Sequence, residues 1–170
     1  MTSLTSEQAA AIAVIEAALP ELGLDFERID TERFAVALPG EKRLKTACWL
    51  TVATHALEIE AFVMRHPDEN REAVYEFLLQ RNQRSYAVSW AIDGMGDVYL
   101  TGRLPLHAVS AAEIDRVLGA VLDSADGSFN TLLELGFGSS IKREWAWRVK
   151  NGESLANLAA FADFAQRPAE

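Results

Sequence analysis

Residues 45–64 constrain this chain more than any other stretch, because they alternate in two consecutive runs. From Lys45 to Thr54, Cys48, Leu50 and Val52 share one side, while Ala47, Trp49 and Thr51 share the other. From Ala56 to Met64, Leu57, Ile59, Ala61 and Val63 alternate with Glu58, Glu60, Phe62 and Met64. Successive side chains of a strand point to opposite faces, so this period of two stacks the carboxylates together, where a helix would scatter them. Thr54-His55 supplies the turn between the runs. A hairpin that is apolar on one face belongs to an antiparallel sheet with one covered side. The rest of the chain has to supply the cover.

That cover is expected to be helical. Thr5 with Gln8 reads as a capping box, followed by Ala9, Ile12, Ile15 and Leu19 at helical spacing and by Pro20 and Gly23 as a stop. Phe26 with Ile29, then Phe34, Val36 and Leu38, read as two short strands around an Asp30-Thr31-Glu32 turn. Pro39-Gly40 and Glu41-Lys42-Arg43 read as a turn and a charged loop. Pro67-Asp68-Glu69 is expected to open a second helix carrying Val74, Phe77, Leu78 and Arg81. A second hairpin follows, with Tyr86, Val88, Trp90 and Ile92 alternating, a turn at Asp93-Gly94-Met95-Gly96-Asp97, and Val98 and Leu100 returning. Gly102 to His107 reads as a loop.

Ser110 with Glu113 is a second capping-box signal, ahead of the stripe Ile114, Val117, Leu118, Val121 and Leu122. A break is expected at Asp126-Gly127-Ser128 and a stop at Gly136 and Gly138. Ser139 or Ser140 then caps a helix whose inward stripe is Ile141, Trp145 and Val149. Asn151-Gly152 ends it, and Leu155 to Phe164 forms a last short helix. The order is that of an α+β domain, an antiparallel sheet with helices packed on one face.

Composition narrows the function classes. Lys and Arg number 16 against 25 Asp and Glu, a net charge of −9, which disfavours nucleic acid and anionic membrane surfaces as partners. The single cysteine excludes an internal disulfide framework and multi-cysteine zinc sites. No run of 18 apolar residues is present. Met1 to Gln8 has no basic region and holds Glu7, which argues against a secretory signal, so a cytoplasmic location is expected.

Several long motifs carry a family resemblance. They are Pro67-Asp68-Glu69-Asn70, Val74-Tyr75-Glu76-Phe77-Leu78-Leu79 with Arg81-Asn82, and Asp97-Val98-Tyr99-Leu100-Thr101-Gly102-Arg103-Leu104-Pro105. Phe129 to Phe137 and Lys142-Arg143-Glu144-Trp145 continue it. On these the chain resembles the YbjN-domain family, whose members are labelled bacterial sensory transduction regulators. The resemblance spans most of the chain. It implies a fold like that of type III secretion chaperones, α-β-β-β-α-β-β-α, here with one extra strand from Phe26 to Leu38 and with C-terminal helices. It implies a YbjN-like domain over residues 1–140, with 141–170 a helical extension of the same domain. It supplies no catalytic residues. It implies a non-enzymatic, chaperone-like or regulatory protein that binds another protein, with homodimerisation as the habit of the secretion chaperones.

The chemistry-bearing residues give no catalytic, cofactor or metal site. His55, His66 and His107 all fall in turns or loops without ligand spacing. Cys48 points with Leu50 and Val52 into the expected core, where a thiol is inert. The Asp93 to Asp97 turn lacks the length of a calcium loop. Glu58 and Glu60 share a strand face without a nucleophile, and are expected to be solvated or to meet Lys45. Arg81, Arg84 and Arg103 suit an acidic-ligand pocket, or are surface arginines; the residues do not decide. Protein-binding residues are expected at Trp49 and Phe62, on the sheet face opposite the core, and at Arg143 and Trp147. Either Trp49 and Phe62 meet a partner, or the late helices wrap round and bury them; Trp147 meets a partner, or stacks under Arg143 or Lys150, or is covered by the final helix with Leu155, Leu158 and Phe161. The alternative class is a small-ligand-binding or enzymatic domain with a groove between the sheet and the late helices.

Overall fold

The computed structural model describes residues 4–168. Helix α1 covers Ser6–Glu21, and four strands follow: β1 Asp25–Arg28, β2 Arg33–Pro39, β3 Lys45–Val52 and β4 Ala56–Met64. Helix α2 (Arg71–Asn82) precedes β5 (Val88–Ile92) and β6 (Val98–Pro105). A single 3-10 turn leads into the long α3 (Ala111–Asn151), and a second 3-10 segment, Ala156–Phe161, leads into α4 (Ala162–Gln166).

The strands form one antiparallel sheet in the order β1-β2-β3-β4-β6-β5. The alternation read in residues 45–64 sets its two faces. Phe34, Val36, Cys48, Leu50, Val52, Leu57, Ile59 and Ala61 are buried, each at no more than 2% exposure, while the residues between them face out. The buried stripes Ile12, Ile15 and Leu19 of α1 and Ile114, Val117, Leu118 and Val121 of α3 complete the same core. Burying each such side chain stabilises the fold by about 1.5–3 kcal/mol. The helices therefore cover one face, as the one-sided hairpin requires, and the extra strand is present as β1.

Local signals set the helix starts. At Thr5 the capping box is complete: the hydroxyl accepts the Gln8 N–H at 3.2 Å and the Gln8 side-chain Oε1 accepts the Thr5 N–H at 2.9 Å. At Ser110 only half forms. Its hydroxyl accepts the Glu113 N–H, while the Glu113 carboxylate pairs with Arg116 and accepts the Tyr86 hydroxyl at 2.7 Å.

Five expectations are corrected. Ala9 is exposed, and the α1 stripe runs through Ala11 and Ala18 instead. Met64 is buried, because a register shift between Phe62 and Met64 turns it inward opposite Val98. Gly102 to Pro105 is strand, not loop: β6 continues because Gly102, Arg103 and Leu104 complete the backbone pairing of Ile59, Glu58 and Leu57. Helix α2 begins at Arg71, with Asn70 in the left-handed region as N-cap, so Pro67-Asp68-Glu69 precedes it. Finally, α3 runs unbroken through Asp126-Gly127-Ser128 and departs from helical geometry at Phe137 (φ −138°, ψ 19°).

The kink at Phe137 is held by the loop before α2. The Gly136 carbonyl accepts the N–H groups of Asp68 and Glu69, and the Glu69 carboxylate accepts the Ser139 N–H at 2.5 Å and its hydroxyl at 2.7 Å. A carboxylate 70 positions away along the chain thus caps the second arm of the helix, the role expected of Ser139 or Ser140. Arg65 pairs with both oxygens of Asp68 and lies over the Phe137 ring.

Candidate functional site

The uncovered sheet face is built from the outward residues of β3, β4 and β6. Register places Trp49 opposite Glu60 and Thr51 opposite Glu58. On the far side of β4, Glu58 faces Arg103, with an ion pair at 3.2 Å, and Phe62 faces Tyr99. The Phe62 and Tyr99 rings meet edge to face, with centroids 5.5 Å apart at 74°. Burial and the carboxylates of Asp93, Asp97 and Glu60 raise the Tyr99 hydroxyl above its usual range. Arg33, Trp49, Glu58, Glu60 and Arg103 border a shallow depression of about 330 Å³. The cationic partner of Glu58 is therefore Arg103 rather than Lys45, which lies opposite Pro39 at the end of β3.

Trp49 and Phe62 are each 38% exposed. The late helices do not wrap round to bury them; α3 lies against the other face. Arg143 and Trp147 lie on the second arm of α3. Trp147 is 54% exposed, and among the described residues no cation stacks on its ring. Arg143 donates to the Ser140 hydroxyl at 3.1 Å. Of the expected inward stripe on that arm only Ile141 is buried; Trp145 is half-buried and Val149 is exposed. The returning tail packs elsewhere, with Phe164 against Gly138 and Lys142. Among the described residues, no hydrogen bond, ion pair or ring contact joins Arg143 or Trp147 to Trp49 or Phe62, so the four form two patches.

Arg43 was legible only as part of a charged loop. Its guanidinium is half-withdrawn from solvent, donates to the Val63 and Phe62 carbonyls, and lies 5.9 Å from the Phe62 ring centroid and 5.1 Å from that of Phe129. Asp126 of α3 anchors the same loop by accepting the N–H groups of Lys42 and Arg43, both at 2.8 Å. These bonds hold the Asp126 carboxyl below its ordinary range, the one from Arg43 most strongly. No local signal marks contacts between residues 83 and 84 positions apart.

The other chemistry-bearing side chains are placed as follows. Cys48 is fully buried on the inner face, and burial pushes its thiol up to about 12. His66 donates its backbone N–H to Asp97 at 2.7 Å. Asp93 accepts the N–H groups of Met95 and Asp97, which makes residues 93–97 a hairpin turn. Among the described residues no group of three or more His, Cys, Asp or Glu side chains is close enough to hold a metal ion, and no helix is long and apolar enough to cross a membrane. What the outer face offers is aromatic surface beside paired charges, which suits side-chain recognition.

The comparisons agree with this architecture. The model of the YbjN family, described as "Putative bacterial sensory transduction regulator", matches residues 11–134, and the chain belongs to that family. An uncharacterized protein of Mycobacterium leprae is 58% identical over 130 residues, covering 76% of this chain and 71% of its own. Among solved structures, chains of the ExsC–ExsE complex (18% identity, TM-score 0.55, 74% of this chain and 95% of that one) and of the HopA1–SchA chaperone–effector complex (12%, 0.55, 74% and 97%) share the fold. So does a chain of the heterodimeric ExoU–SpcU complex from the type III secretion system of Pseudomonas aeruginosa (15%, 0.51, 73% and 98%). The fold is that of type III secretion chaperone complexes, as the residue motifs implied.

Proposed function

We propose that this chain is a non-enzymatic, chaperone-like regulatory protein that works by binding another protein, through Trp49 and Phe62 on the open sheet face and through Arg143 and Trp147 on the second arm of α3. The observation that carries the reading is the open face itself. Two large aromatics stand 38% exposed on the sheet, beside the Glu58–Arg103 ion pair and the Glu60 carboxylate. Exposed aromatics with arginine nearby are enriched at binding hot spots. The solved structures that share the fold are complexes of two proteins, which supports the same reading by analogy of fold. Homodimerisation belongs to the proposal on that analogy.

The test is crosslinking in the native cell with mass spectrometry of what is captured, alongside gel-filtration mass, for the parent chain and a Trp49→Ala, Phe62→Ala double variant. Both side chains are partly exposed, and Phe62→Ala also removes the edge contact with Tyr99, so the variant should stay folded and melt about 2–6 °C lower. The expected result is a captured protein crosslinked near the outer face and lost in the variant. A monomer that retains nothing, or capture that ignores the substitutions, would sink the idea.

A further inference from the structure

A second concavity, about 610 Å³, lies between the C-terminal end of α2 and the middle of α3, within the usual range of small-ligand sites. On its α2 side are Arg81 and Arg84; on its α3 side are Ser124 and Ser128, one turn apart. Phe77 and Trp90 supply apolar lining. Arg103 is elsewhere, paired with Glu58, so only two of the three arginines singled out in the sequence converge.

Two observations set this groove apart. Neither Arg81 nor Arg84 has a carboxylate within 4.0 Å, as is also true of Arg43, Arg71, Arg143 and Arg167 among the described residues, but only Arg81 and Arg84 stand together in one concavity. The lining sets these two guanidiniums against the single carboxylate of Asp123, a positive balance in a chain of net charge −9. The Arg81 guanidinium also lies 4.4 Å from the Phe77 ring centroid, a stacking that helps fix the plane of its donors. The second observation is Ser128. It is 1% exposed, and its hydroxyl is buried with no hydrogen-bond partner, a state that costs free energy until an acceptor arrives.

We propose that this groove binds a small organic phosphate monoester, its phosphoryl group between Arg81 and Arg84, with Ser124 and Ser128 as hydroxyl donors and its carbon body against Phe77 and Trp90. The donor count favours phosphate over carboxylate. One guanidinium fork satisfies a carboxylate, whereas two forks with two hydroxyls match three acceptor oxygens carrying a charge of about −1.5 to −2. Asp123 shares the lining and offsets part of the charge of the two arginines. The site is independent of the open sheet face, and its failure would leave the protein-binding reading untouched.

The experiment is an amide NMR titration of the full chain with phenyl phosphate, inorganic phosphate and benzoate, repeated on Arg84→Gln, Arg81→Gln and Ser128→Ala. Phenyl phosphate is expected to saturate, with shifts centred on residues 81–85 and 123–128 and an affinity reduced about tenfold by Arg84→Gln. Inorganic phosphate is expected at the same residues but more weakly, because it has no ring. Ser128→Ala should weaken binding while keeping or raising the melting temperature, since it removes an unpartnered hydroxyl. No saturation by either phosphate up to about 10 mM, shifts centred elsewhere, benzoate binding equal to phenyl phosphate, or full affinity in both arginine variants would each overturn the proposal.

Discussion

Gly127 lies on the solvent side of α3, where an added Cβ would meet nothing within 4 Å. At Gly136 the same atom would sit 2.8 Å from the Cβ of Pro67, part of a rigid ring. Both glycines looked alike as helix breakers, because a sequence records the missing side chain and not what stands beside it. The consequence is a pair of opposite effects. Gly127→Ala should stabilise by about 0.5–1 kcal/mol, the usual helix-interior gain. Gly136→Ala should destabilise by about 1–2 kcal/mol, because overpacking exceeds that gain. Urea unfolding of the two variants checks this, and equal signs would contradict the packing described at the kink. Residues whose role is local were readable: the Thr5 cap depends only on Gln8, and the inner-face placement of Cys48 depends only on the period of two.

At the scale of elements, the strands of residues 45–64 and the first arm of α3 were legible because periodicity is a local property. The start of α2, the full length of β6 and the position of the kink were not. Distant partners decide the last two, β6 by the vacant edge of β4 and the kink by the loop around Glu69, and Asp126 does the same for the 40–44 loop. Those two carboxylates make the loops pH-sensitive. Bonds from the Ser139 N–H and hydroxyl hold the Glu69 carboxyl below its ordinary range, as those from Arg43 and Lys42 do for Asp126. A carboxyl lowered in the folded state contributes stability that is fully present above its unfolded value, about 3.9 for Asp and 4.3 for Glu, and is lost as pH falls through the folded value. Between pH 7 and 5 the melting temperature should therefore be insensitive to these groups, and below about pH 4 it should fall. A Glu69→Gln, Asp126→Asn variant should melt lower at pH 7 and lose less between pH 4 and 3, the remaining acid loss coming from Asp30 and Asp68, which are lowered too. Parallel curves for variant and parent would show that the two carboxylates do not anchor the loops.

For the molecule as a whole, the one-sided sheet was readable from its hairpin, whereas which aromatics stay open depended on where the last fifty residues go. Trp145 and Trp147 differ there. Trp145→Ala removes half-buried surface and should cost about 2 kcal/mol, a fall of about 4–8 °C. Trp147→Ala should change the melt by no more than about 2 °C, because surface substitutions stay within about 0.5 kcal/mol. Its effect is expected in crosslinked capture instead. Equal losses of stability with capture intact would place Trp147 in the fold and not in an interface. Asn82, at the end of α2, adds a boundary condition. Its amide accepts the Trp90 N–H at 2.7 Å and donates to the Trp90 carbonyl at 3.2 Å, on the last strand of the sheet. In the language of polymers that strand is end-capped: propagation by strand addition terminates at residue 90, where an incoming backbone finds both hydrogen-bonding groups occupied. Copies of this chain that meet at that edge can trade side-chain contacts but cannot share a rung at residue 90, where the Asn82 amide already occupies both backbone groups.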